Sequence, residues 1–192
     1  MGIQAPEKRF IILALSLGCA YVATIFVVIG LCTNYWIEIR NRNLYREDVV
    51  AHFGLQRTCW SSSDRCTNSG TDYDRTNTNP AAQGILITGG FITVVGALLA
   101  LTNLYLDRLG QSRGVFSAAA AAVICLGGAF LLVGIVIYGV KVEVQTEYLN
   151  VGHVQYKGYS FGLVTTAAIL MFISAALNAW SGCSKASPRF NQ

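Results

Sequence analysis

Four stretches of this chain contain no Asp, Glu, Lys, Arg or His: residues 10–31, 84–106, 115–140 and 160–180. They are 22, 23, 26 and 21 residues long, and at about 1.5 Å of helical rise per residue each crosses a hydrocarbon core of about 30 Å with modest tilt. Together they hold 92 of the 192 residues, so an even scatter would leave about 11 or 12 of the 24 charged side chains inside them, and none is there. A buried helix of a soluble protein seldom runs past about fifteen apolar residues without a polar face, which argues against a soluble core. The chain is therefore expected to be one membrane domain, residues 1–192, with outer loops at 32–83 and 141–159. Lys8 and Arg9 precede the first span as they would a signal peptide. Its apolar length exceeds the roughly 7 to 15 residues of a signal core, however, and Asn34-Tyr35-Trp36 lacks the small residues of a cleavage site. It is expected to stay as an anchor.

Charge sets the expected orientation. With both termini in the cytoplasm, the inner pieces carry Lys8, Arg9, Arg108, Arg113, Lys185 and Arg189 against Glu7 and Asp107, a balance of +4. The outer pieces carry eight Lys/Arg against eight Asp/Glu, so the whole net charge falls on one side. The inner pieces are also the shorter, and their basic residues the denser, as the positive-inside rule requires. The basic balance thus speaks for topology and for membrane lipid as a partner. No basic patch with interleaved aromatic residues points to nucleic acid.

Cys59 and Cys66 lie in the long outer loop, where oxidation is permitted, while Cys19 and Cys125 fall in spans and Cys183 follows the last span on the inner side. A bridge between the first two would be worth about 2 to 3 kcal/mol in the chain-entropy account, and two free outer thiols are the alternative. Two cysteines without a nearby His make only half of a tetrahedral shell, so neither a metal nor a cofactor is expected. Cys183 is a candidate for palmitoylation at the inner face, with an unmodified thiol as its alternative.

Two outer stretches alternate apolar and polar residues, Tyr35 to Arg40 and Val140 to Gln145, and both are expected to form strands of a small sheet. Trp36 and Trp60 suit either the headgroup interface or a local core under that sheet. Gly89, Gly90, Gly96, Gly127, Gly128, Gly134 and Gly139, with Ala118 to Ala122, offer small surfaces for helix packing within the chain or for lateral association. His52 and His153 lie in the outer loops and are expected to be solvated. The spans hold no ionisable pair, no HExxH and no phosphate-cradling loop, so no enzyme is expected.

The order Trp36, Gly54-Leu55, Cys59, Cys66 resembles the claudin-superfamily signature, a Trp followed by Gly-Leu-Trp-x-x-Cys and a second Cys. That superfamily takes in the claudins, peripheral myelin protein 22 with the epithelial membrane proteins, and the calcium-channel gamma subunits. A long first loop with one cysteine pair and a cysteine-free second loop sets the chain apart from tetraspanins and connexins. The resemblance implies a membrane all-α four-helix bundle with a small extracellular antiparallel β-sheet. Gln56 stands at the second Trp position, Trp60 follows the cysteine instead, and Arg57-Thr58-Cys59 is similar to the gamma-subunit version, which marks a divergent member.

Two functions are compatible with that resemblance. In the first, the chain is a plasma-membrane protein of cell–cell contacts that forms or organises a paracellular barrier, self-associating in cis and in trans through its outer loops. In the second, it is an auxiliary subunit that modulates an ion channel or receptor. Tyr148, Leu149, Val151, Val154 and Tyr156 put apolar and aromatic side chains in the short second loop and form the candidate contact surface, with packing under the sheet as the alternative.

Overall fold

A computed structural model of the chain describes residues 5–41, 49–61, 65–68, 80–111, 114–146 and 153–183. In chain order its elements are α1 (Ala5–Cys32), β1 (Ile37–Asn41), β2 (Val49–Phe53), β3 (Arg57–Trp60), β4 (Arg65–Asn68), α2 (Pro80–Arg108), α3 (Gly114–Thr146), β5 (His153–Lys157) and α4 (Tyr159–Cys183). Each helix contains one charge-free stretch whole, and all four are long and apolar enough to cross a membrane. Pro80 opens α2 where a helix leaves its first N–H groups unpaired, so the missing donor costs nothing. Gly110, at φ 70°, closes it. Its N–H donates to the Asp107 carbonyl at 3.1 Å and that of Gln111 to Leu106 at 3.0 Å, a pairing that needs the left-handed conformation Gly adopts without strain.

The chain divides into two compact units, and every helix contributes to both. The first comprises Met1–Ile25, Gly89–Ala129 and Ala167–Gln192. Here Leu15, Phe91, Val115 and Ile169 are exposed, whereas Ser16, Asn103, Ser117, Ser174, Asn178 and Ser181 are buried. That is the reverse of a water-soluble helix and follows from a solvent as apolar as leucine. Leu13, Ala20, Ile124 and Met171 fill the remaining core, and Gly128 is small because a Cβ would stand 3.2 Å from that of Met171. Arg9 pairs with Asp107 at 3.2 Å, joining the start of α1 to the end of α2.

The second unit comprises Phe26–Thr88 and Phe130–Thr166 and carries the sheet. Its core holds Val27, Trp36, Leu55, Leu86, Leu131 and Val164. The five strands run in the order β4-β3-β2-β1-β5, each antiparallel to its neighbour. Period-two alternation sorts the side chains into two faces. Ile37, Ile39, Ala51, Phe53 and Trp60 share one face, on which Ile37, Ile39 and Ala51 are buried. Glu38, His52, Cys59, Cys66 and Tyr156 form a single row across the other.

One expected strand is helix. Val140 to Gln145 continues α3, which runs unbroken to Thr146. No proline interrupts the segment, and once a helix is nucleated each further residue adds a hydrogen bond, so extension prevails over a short alternating pattern. The strand that pairs with the outer side of β1 is instead β5, itself an alternating sequence, His-Val-Gln-Tyr-Lys.

Candidate functional site

Trp36 is fully buried, which places it in the local core rather than at an exposed interface. It follows α1 by four residues and makes three hydrogen bonds to three different segments. Its indole N–H donates to the Gly30 carbonyl at 2.8 Å, one of the carbonyls a helix C-terminus leaves unpaired. Its backbone N–H donates to Phe53 of β2 at 2.9 Å, and its carbonyl accepts from Gly158, between β5 and α4, at 2.9 Å. The ring meets Tyr138 of α3 at 5.0 Å and Phe161 of α4 at 6.3 Å, both edge-on. A single residue therefore fastens the sheet, through its backbone, to three helices, through its side chain.

The remaining signature residues serve the same fastening. Gly54 turns β2 into β3, its N–H donating to the Arg57 carbonyl at 2.8 Å, and a Cβ there would lie 2.6 Å from the Asn34 Cα. Leu55 is buried beside it in the chain. Gly158 is similarly constrained, because a Cβ would fall on the Tyr35 carbonyl. Cys59 and Cys66 form a disulfide between directly opposed residues of β3 and β4, with Cα atoms 4.1 Å apart. Thiol chemistry thus covalently closes the hairpin at the edge of the sheet.

The face that carries the disulfide is polar and aromatic. Arg40 binds Glu38 at 3.0 Å and sets its guanidinium over the Tyr156 ring at 5.1 Å. His52 lies edge-on to Tyr35 at 4.4 Å, and Tyr35 stacks on Tyr159 at 5.0 Å. His52 is half-buried rather than fully solvated. Of the candidate contact residues, Val154 and Tyr156 belong to β5, opposite Arg40 and Glu38, and Tyr156 is 42% exposed. Tyr148, Leu149 and Val151 lie outside the described residues. Cys183 ends α4 with its side chain exposed, and Trp60 is exposed on the other face of the sheet, edge-on to Phe53 at 6.2 Å.

Sequence reasoning missed the polar cluster in the first unit. Ser16 of α1, Asn103 of α2, Ser117 of α3 and Ser174, Asn178 and Ser181 of α4 are all buried and mutually bonded. Asn103 Nδ2 donates to Asn178 Oδ1 at 3.1 Å and to Ser117 Oγ at 3.3 Å. Ser117 Oγ donates to the Asn178 carbonyl at 2.6 Å and lies 2.8 Å from Ser181 Oγ. Asn178 Nδ2 donates to Ser16 Oγ, which lies 2.9 Å from Ser174 Oγ. The signal was present, since positions 174, 178 and 181 repeat at the three- and four-residue spacing that lines one helix face. Among the described residues, no histidine or carboxylate is bonded to the cluster. Its chemistry is cohesion between helices.

Against known proteins, residues 9–184 match the model of the PMP-22/EMP/MP20/Claudin family. No curated protein matches the chain significantly.

Proposed function

We propose that this chain, which belongs to the PMP-22/EMP/MP20/Claudin family, is a non-enzymatic plasma-membrane protein of cell–cell contacts that forms or organises a paracellular barrier. Both termini face the cytoplasm, as the +4 balance of the terminal pieces and the 107–114 turn favours. The sheet then faces out, and it associates with copies of itself in the same membrane and in the opposing one. The observation that carries this reading is the fastening of the sheet. A five-stranded sheet closed by a disulfide and tied through Trp36 to three helices holds its outer surface in one conformation, which lowers the ordering cost of binding a partner. The exposed Tyr156 ring, braced by Arg40, supplies an aromatic anchor of the kind that dominates protein contacts. The short second loop completes the contact surface with Tyr148, Leu149 and Val151.

Expression in otherwise non-adherent cells tests the reading. The expected outcome is enrichment where two expressing cells meet, and none where an expressing cell meets a bare one. A protein that reaches the surface, stays evenly spread and shifts the gating of a co-expressed channel would instead have the auxiliary-subunit role.

A further inference from the structure

The proton count of the buried cluster leaves one acceptor over. Asn178 Nδ2 donates to Ser16 Oγ and to the Ser174 carbonyl, the latter at 3.3 Å, so its Oδ1 is turned toward Asn103. Asn103 must answer with its nitrogen, because the reversed amide would set two acceptors against each other with no proton between them. Its second amide proton goes to Ser117 Oγ. Asn103 Oδ1 is thereby directed away from both bonds, and it is buried without a partner among the described residues. The Asn103 side chain is 1% exposed, so bulk solvent does not satisfy it.

We infer that a single water molecule is bound at Asn103 Oδ1 inside the helical core. An orphan carbonyl in a hydrocarbon environment is costly, and one donor removes the cost. Water fits better than a cation, since every member of the cluster is neutral and one free acceptor falls far short of a cation's shell of oxygen ligands. The cluster also has a place for the second proton. Ser117 Oγ and Ser181 Oγ both donate to the Asn178 carbonyl, at 2.6 and 2.8 Å, and the Ser181 oxygen keeps a lone pair that can accept a proton. Entry is short. Asn103 lies five residues from the end of α2 and Ser117 three from the start of α3, about 8 Å and 5 Å along their axes.

Water-edited solid-state NMR on the full-length, isotopically labelled protein in lipid bilayers tests the inference. The Asn103 side-chain amide, assigned sequentially, should receive magnetisation from water several-fold faster than the backbone amide of Ala20, which is fully buried in the same unit. Serine hydroxyls exchange with solvent and could relay the same signal, so the measurement is repeated on Ser117→Ala. Fast transfer that persists there locates the water on Asn103. Transfer as slow as that of Ala20, or fast transfer that disappears in Ser117→Ala, would overturn it.

Discussion

At the scale of the residue, Trp36 does work that no other aromatic could take over, because its ring fills a site between α3 and α4 while its N–H meets a helix-end carbonyl. Trp36→Phe keeps most of the apolar surface but leaves the Gly30 carbonyl with only the longer bond from Thr33 Oγ1, at 3.4 Å, for an expected cost of about 1 kcal/mol. Thermal inactivation of the detergent-solubilised protein, followed by size exclusion, should show a lowered midpoint, and an unchanged midpoint would remove the bond from the account. Gly158→Ala should be worse, since the obstacle is a backbone carbonyl that cannot rotate away. Surface delivery of that variant is expected to fail. Both positions bear on what could be read in advance. Trp36, Gly54 and the two cysteines were visible as a spaced signature, but the constraint on Gly158 was not, because a glycine whose missing Cβ makes room for a backbone carbonyl looks in sequence like any glycine in a loop. Asn103 and Asn178 were overlooked for a related reason. A search for charge passes over neutral amides, although in hydrocarbon these are the groups that must find partners.

At the scale of the element, the β3–β4 hairpin lies at the edge of the sheet and has a neighbour on one side only, so the disulfide supplies what packing does not. Cys59→Ser and Cys66→Ser should each cost about 2 to 3 kcal/mol of loop stability. The double variant should behave like either single one, because one bond can be lost only once. Limited proteolysis of the first loop is the measurement, and clearly additive effects would count against a shared bridge. The helices were legible because four uninterrupted apolar runs leave no other structure in lipid. The exit from α3 was not. Alternation from Val140 to Gln145 competes with a helix already about 26 residues long, and the deciding quantity is cooperative extension, which a six-residue window does not contain. The strand at the opposite edge, β5, is hard to see in sequence because Val154 and Tyr156 suggest an exposed loop tip before the five-residue alternation of His153 to Lys157 suggests a strand.

At the scale of the whole molecule, the proposed orientation and the proposed function make separable predictions. An epitope placed in residues 70–80 should bind antibody on intact cells, and tags at either terminus should bind only after permeabilisation. The reverse pattern would invert the assignment of the loops. Replacing Leu149 and Tyr156 together with Ser should abolish enrichment at cell contacts while leaving surface delivery and the disulfide intact, with residual enrichment near background. Enrichment at the wild-type level would move the contact surface elsewhere on the sheet. A single residue, Gly158, separates β5 from α4, and its N–H is bonded to Trp36. Tension applied to the outer edge of the sheet by a neighbouring cell therefore has no slack to take up before it reaches a membrane helix. The same attachment that presents the surface makes it a mechanical coupling, and pulling on β5 is pulling on α4.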